Sequence, residues 1–180
     1  MKTAFTTSLF LCIATSASAL CEDAWYLRNL AFDRAGYCFG STLGQSVFDA
    51  ECSTKSPVLD DWDQAMVNAH KDIEARNDCA VNTGSRSLNS SLIGKLEDID
   101  LLPTLSEFES ACIGYTGAPV TMTSGIGQQM SYPVGTITPG DTVFFRFEGW
   151  GDYVFVETDT AMGWVPLEAV TDQNCEVFAG

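Results

Sequence analysis

The stretch VFFRFEGWGDYVFVE, residues 143–157, decides the fold of the C-terminal half of this 180-residue chain. On either side of the centre, alternate side chains fall into two sets that would face opposite sides of a strand, which is the two-residue period of a β-strand. The central Gly149-Trp150-Gly151 separates the two runs and favours a hairpin turn. Further turn signals at Pro139-Gly140-Asp141 and Asp159-Thr160 divide residues 112–180 into short strands. This pattern predicts a small β-barrel or sandwich.

Residues 21–79 show the 3.6-residue period of amphipathic helices instead. Three helices are predicted: one over residues 22–35, one after the N-cap candidate Ser41, and one after the N-cap candidate Asp60. The third helix is the clearest, since its apolar residues follow a single stripe: Trp62, Ala65, Met66, Ala69 and Ile73. The predicted fold class is therefore α+β, with a small disulfide-linked helical N-terminal module before the β-domain.

The segment between these two parts, residues 80–111, is predicted to be a connector. Its first half is rich in Ser, Asn and Gly, as irregular segments are. A short helix is predicted near residues 105–111.

The first nineteen residues predict a secretory signal peptide. Lys2 provides a positive start, residues 9–13 are apolar, and Ala17-Ser18-Ala19 is a small-residue cleavage site. We therefore expect a mature chain from residue 20 in the periplasm or secreted from the cell.

The charge of the chain excludes some partners. Its net charge is −15, and removal of residues 1–19 with Lys2 changes this to −16. Such a field repels nucleic acid and anionic lipid headgroups. No second apolar run reaches transmembrane length, so we expect neither nucleic-acid binding nor membrane insertion.

Six cysteines remain after the predicted cleavage, and an even number in an exported chain predicts three disulfides. No closely spaced cysteine pair supports a zinc site. Three successive helices tend to run up, down and up, which puts particular helix ends side by side. We therefore predict the pairs Cys21–Cys52, Cys38–Cys79 and Cys112–Cys175, although four cysteines in the helical part allow three connectivities.

The ionisable residues offer weak candidates for chemistry. His70 is the only histidine and has no accompanying nucleophile motif, so a surface or boundary position on the third helix is favoured over a general base. The acidic run Glu97, Asp98 and Asp100 could hold calcium but does not follow the EF-hand pattern. Arg34 could recognise an anion, but satisfying helix carbonyls or a local acid is the simpler interpretation. No cofactor is expected.

Residues 25–39, WYLRNLAFDRAGYCF, resemble the YARHG domain, in particular its cysteine-bearing relatives in exported proteins of alphaproteobacteria. Arg34, Gly36, Tyr37 and Phe39 stand where that family's pattern has them. The pattern's tyrosine, alanine and histidine are replaced here by Phe32, Asp33 and Ala35. The resemblance covers residues 20–79 and implies an extracellular helical module with no assigned chemistry.

The C-terminal part, residues 112–180, resembles bacterial SH3-like domains. The resemblance is carried by PGDTV at 139–143, YVFV at 153–156 and GWVP at 163–166. It implies an SH3-like β-barrel. Such domains bind cell-wall peptides or protein partners, or brace a neighbouring domain.

We interpret the chain as an exported, non-catalytic binding protein. Trp150, placed between two glycines at a turn, is the main candidate for ligand contact, with Tyr153 and Trp164 beside it. Trp164 could instead fill the barrel. The expected partner is a cell-wall peptide or an exported protein. Two alternatives stay open: an acidic inhibitor of a basic secreted enzyme such as a cell-wall hydrolase, and a hydrolase with an unrecognised site.

Overall fold

The computed structural model describes residues 15–48, 50–127 and 131–180. Most of the predicted signal peptide therefore lies outside the described residues. No helix among the described residues is long and apolar enough to cross a membrane.

Three helices form the N-terminal part: α1 at Thr15–Arg34, α2 at Thr42–Val47 and α3 at Asp61–Arg76. The predicted N-caps are confirmed. The Ser41 hydroxyl accepts from the Gly44 N–H at 3.1 Å, and the Asp60 carboxylate accepts from the Asp63 N–H at 2.8 Å. Helix α1 begins earlier than predicted and includes residues 15–19.

A glycine ends α1. Gly36 has φ +77°, and the Tyr37 N–H donates to the Phe32 carbonyl at 3.0 Å. This is the left-handed stop that an L side chain rarely adopts. The reversal sends the chain back across the end of α1, where Tyr37 forms a parallel bridge with Thr54.

Eight strands form one antiparallel sheet in the order β3-β2-β7-β6-β4-β1-β8, with β5 paired to β6 alone. They are β1 Leu105–Tyr115, β2 Val120–Thr123, β3 Pro133–Ile137, β4 Val143–Phe147, β5 Gly149–Trp150, β6 Tyr153–Glu157, β7 Met162–Pro166 and β8 Cys175–Ala179. In the described residues β3 and β8 remain at opposite ends of the sheet. The predicted α+β class is confirmed, whereas a closed SH3-like barrel is not.

Strand β1 corrects the predicted connector. The short helix expected near residues 105–111 is wrong, because this segment begins the longest strand, which lies between β4 and β8. The strand lacks a clear alternation of buried and exposed side chains, because three successive residues are exposed: Glu107, Phe108 and Glu109. Pairing with β4 and β8 outweighs the weak local signal, as strand preference depends strongly on context.

The rest of the predicted connector belongs to the core. Leu92, Leu96, Ile99 and Leu102 are buried in the same apolar cluster as side chains of α1, α3, β6 and β7. The Arg34 guanidinium fixes this segment by donating to the Leu96 carbonyl at 2.6 Å and the Ile99 carbonyl at 2.7 Å. The predicted boundary at residue 80 therefore does not separate two independent cores.

Arg146 on β4 joins the sheet to α1. Its guanidinium contacts Asp23 at 2.8 Å, Glu157 at 3.0 Å and Glu109 at 3.1 Å. The Asp23 side chain is 3 % exposed and also accepts from the Ser90 hydroxyl at 2.6 Å. Burial alone would lower the pKa of Arg146, but the hydrogen bond to Glu157 and the charge of Asp23 outweigh it and raise the pKa.

The disulfides correct two predicted pairs. The structure has Cys21–Cys79 and Cys38–Cys52 in place of Cys21–Cys52 and Cys38–Cys79, whereas Cys112–Cys175 is present as predicted. Helices α1 and α3 are antiparallel neighbours, so the start of α1 lies beside the end of α3. Helix α2 has only 6 residues and does not return the chain to the start of α1. Hydrogen bonds from the N–H groups of residues 53 and 54 to the carbonyl of residue 36 hold the second pair together.

His70 connects α3 to the first strand. Its Nδ1 lies 2.9 Å from the Met66 carbonyl, and Nε2 accepts from the Leu105 N–H at 3.2 Å. The side chain is fully buried, so the surface or boundary position predicted for it is wrong. Burial lowers the pKa of His70 to about 4, against a weaker opposing effect of the Met66 hydrogen bond.

Peptide mapping without reduction should recover linked peptides containing Cys21–Cys79 and Cys38–Cys52, because these are the adjacent pairs among the four cysteines of the helical part. Recovery of a Cys21–Cys52 or Cys38–Cys79 peptide would contradict the antiparallel packing of α1 on α3.

The substitution Arg146→Met should lower the free energy of unfolding by about 3–5 kcal/mol, since it leaves Asp23 buried without its cation. Denaturant unfolding measures this loss. The control Arg76→Met removes an exposed partner of Glu107 and should cost less than about 1 kcal/mol. Adding Asp23→Asn to Arg146→Met should recover part of the loss; equal effects of the two arginine substitutions would overturn the assignment.

His70 should make the protein acid-sensitive. The unfolded chain binds a proton at His70 below about pH 6.5, whereas the folded chain does so only near pH 4. As pH falls between these values, the free energy of unfolding should therefore decrease, by about 3 kcal/mol from His70 in total. Denaturant unfolding of His70→Gln should show a shallower slope in this window, because glutamine can still accept from the Leu105 N–H. Parallel slopes would contradict the buried neutral imidazole.

Candidate functional site

An apolar groove lies between α3 and the hairpin formed by β5 and β6. Its volume is about 370 Å³, at the small end of the range for ligand pockets. Seven residues line it: Asp61, Trp62, Ala65, Met66, Ala69, Thr104 and Trp150. Five of these side chains are apolar, and Asp61 is the single ionisable residue among them.

The floor of the groove is the part of the α3 stripe that the sheet leaves uncovered. Met66 and Ile73 are buried in the core, whereas Ala65 is exposed and Ala69 half-buried. Alanine side chains are too short to reach a neighbouring element, so the helix surface at these positions is a shallow trough. Trp62 borders the trough and is fixed by its indole N–H, which donates to the Leu102 carbonyl at 3.0 Å.

The opposite wall is Trp150, on the two-residue strand β5. Trp150 pairs with Tyr153 across a tight turn in which Gly151 has φ +57°. The Glu148 N–H donates to the Thr104 carbonyl at 2.8 Å and fixes the base of the hairpin beside α3. The Trp150 ring stands edge-on to Trp62, with centroids 4.9 Å apart, yet 58 % of Trp150 is exposed.

Two of the three predicted ligand residues lie elsewhere. Trp164 is 1 % exposed, and its indole N–H donates to the Leu101 carbonyl at 2.9 Å. It fills the core because its side chain lies in the apolar cluster shared with the helices, with ring centroids 5.3 Å from Phe155 and 6.0 Å from Trp62. Tyr153 is half-buried and lines a separate depression with Asp152 and Leu167. Only Trp150 of the predicted set borders the groove.

Sequence reasoning missed the helical side of the groove. Trp62 was assigned to the core stripe of α3, which describes Met66 but not Ala65 and Ala69. The available signal was the composition of that stripe: a helix face that carries small residues between large ones leaves a depression unless a partner fills it.

The other candidates for chemistry have structural roles. His70 is enclosed and neutral, with both ring nitrogens engaged by backbone groups, so it faces no substrate space. In the acidic run, the Asp100 carboxylate accepts from the Ser124 hydroxyl at 2.6 Å. No group of three or more His, Cys, Asp or Glu residues in the described part of the chain could hold a metal ion. The lining of the groove is predominantly apolar.

Comparison with known proteins divides the chain near residue 77. The YARHG domain model matches residues 5–75 and supports the resemblance seen in residues 25–39. No curated protein and no solved structure matches the chain. A second family model matches residues 78–180, which is more than half of the chain, and the chain therefore belongs to the family described as Domain of unknown function (DUF4453).

Proposed function

We propose that this protein is a non-catalytic binding protein that receives an apolar side chain of its partner in the groove between α3 and the β5–β6 hairpin. The observation that carries the proposal is the exposed Trp150 standing against Trp62 above an uncovered alanine floor. The partner class is a cell-wall peptide or an exported protein.

The energetics of Trp150 support a binding role. A large apolar ring kept 58 % exposed forgoes stabilisation that burial would provide, at roughly 25 cal/mol per Å² of apolar surface. A partner that covers the ring recovers this free energy. Tryptophan is correspondingly enriched among the residues that dominate binding energy, where truncation costs about 2 kcal/mol or more. The edge-on contact with Trp62 holds the ring in place before binding, which lowers the entropic cost of association.

The periplasm or the extracellular space is the proposed site of action. Three disulfides support an oxidising compartment, in agreement with the predicted signal peptide. The SH3-like character of residues 112–180 stays a proposal, supported by the order of its predicted strands and turns.

A second candidate function is inhibition of a basic secreted enzyme. The observation that favours it is the excess of 24 acidic over 9 basic residues, because complementary charge accelerates the encounter of two proteins. Binding by this mechanism would weaken steeply with salt and would depend little on Trp150.

The substitution Trp150→Ala should abolish partner binding, since it removes one wall of the groove. The purified protein is incubated with isolated peptidoglycan and, separately, with immobilised exported proteins, at low and high ionic strength. Sedimentation or capture that survives salt and is lost in Trp150→Ala supports the groove.

The matched control is Phe108→Ala. Phe108 on β1 is also aromatic and is 85 % exposed, but it does not line the groove. The control variant should bind as the unchanged protein does. Equal binding by all three proteins, or binding by none, would overturn the proposed function, and loss in high salt alone would favour the inhibitor.

A further inference from the structure

We propose that the occupant of the groove is a segment of an exported protein that presents an apolar side chain beside a lysine or arginine. The apolar side chain enters the trough over Ala65 and Ala69, beside the contacting rings of Trp62 and Trp150, and the cation meets Asp61 and the exposed aromatic surface. This inference rests on the proposed function and specifies the chemistry of its partner.

The lining of the groove is unsuited to a carboxylate-rich ligand. Apart from the two indole N–H groups, only Thr104 and Asp61 carry side-chain polar groups among the seven lining residues, and no lysine or arginine is among them. Cell-wall stem peptides carry free carboxylates, which proteins recognise with charged donors or arrays of backbone N–H groups. Neither is offered by these side chains, so an apolar protein segment fits better.

The start of α3 does not provide an anion site. The amides of the first turn have no partner within the helix, and one of them, the Asp63 N–H, already donates to the Asp60 carboxylate. Asp60, Asp61 and Asp63 together place negative charge at this end of the helix, which opposes a second anion.

Asp61 is available to a cation at the edge of the groove. It is exposed, and within the described residues it has no ion-pair or side-chain hydrogen-bond partner. On the hairpin side, Glu148 and Asp152 flank Trp150 in the sequence, and both are exposed. Of these three acids only Asp61 lines the groove, and the two hairpin acids add exposed negative charge close to Trp150 in the sequence.

A lysine or arginine suits this combination better than a purely apolar residue. The methylene stem of such a side chain packs on an apolar surface while its charged end remains in water. An ammonium or guanidinium group over an exposed indole also gains a cation–π attraction. A neighbouring apolar residue would then occupy the trough over Ala65 and Ala69.

A second copy of this chain is a poor occupant. Each copy carries a net charge of −15, so two copies repel each other at low ionic strength. The same charge attracts a basic partner and favours its encounter. We therefore expect the occupant of the groove to come from a different protein that carries positive charge.

A peptide-display selection tests the inference. Random peptides are selected on the immobilised full protein after removal of those that bind Trp150→Ala. The enriched sequences should pair an aromatic or large aliphatic residue with lysine or arginine within the next few positions. Synthetic versions should bind Trp150→Ala at least about ten-fold more weakly than the unchanged protein.

Asp61→Asn isolates the charge. It should weaken the selected peptides by about two- to five-fold at low ionic strength, with a smaller effect in high salt. Asp72→Asn on the same helix makes the same charge change at an exposed position outside the groove, and it should leave the affinity unaltered.

The outcomes separate the two proposals. Peptides that depend on Trp150 but show no preference for lysine or arginine, or that bind Asp61→Asn and Asp72→Asn equally, overturn the inference and leave the groove as a binding site. A selection that yields no peptide dependent on Trp150 overturns the proposed function together with the inference.

Discussion

The buried ion pair between Arg146 and Asp23 is the constraint on which the arrangement of helices and sheet depends. It holds α1 against β4, and Glu157 of β6 contacts the same guanidinium. Helix α1 is joined to α3 by the Cys21–Cys79 disulfide and by a bidentate ion pair. In this pair the Arg28 guanidinium donates to both carboxylate oxygens of Glu74, each at 3.0 Å. Helix α3 returns to the sheet through His70, whose Nε2 accepts from the first N–H of β1. A closed circuit of contacts therefore determines the distance between α3 and the hairpin.

The groove is a consequence of that distance. The circuit brings Trp62 to the hairpin while Ala65 and Ala69 remain too short to close the gap. Filling the gap would need a larger side chain on α3. Both walls of the groove are bonded to residues 102–104: the Trp62 indole donates to the Leu102 carbonyl, and the Glu148 N–H before β5 donates to the Thr104 carbonyl.

Periodicity predicted the elements where one physical requirement dominates. The alternation in residues 143–157 specified two strands, because successive side chains of a strand point to opposite faces; in β6, Phe155 enters one apolar cluster and Val154 the other. Asp60 marked the start of α3 because the free amides of its first turn need an acceptor. Strand β1 was not predictable in this way. Its exposed run from Glu107 to Glu109 lacks the pattern, and only pairing with β4 and β8 makes it a strand. The connector was misjudged for a different reason: Leu92, Leu96 and Ile99 recur at helical spacing, yet their segment forms turns, and Arg34 bonds the carbonyls of Leu96 and Ile99.

The sequence by itself determined the α+β class, the helical and strand-forming halves, the caps of α2 and α3, the Cys112–Cys175 pair and Trp150 as an exposed aromatic. These features follow from local rules of periodicity, capping and turn geometry, or from cysteines that bracket a single unit. The tertiary structure alone decided the pairing of Cys21 with Cys79, the burial of Trp164 and the meeting of Trp62 with Trp150. Those outcomes depend on which elements become neighbours, and that is set by long-range contacts such as Arg146 with Asp23, whose partners lie 123 residues apart in the chain.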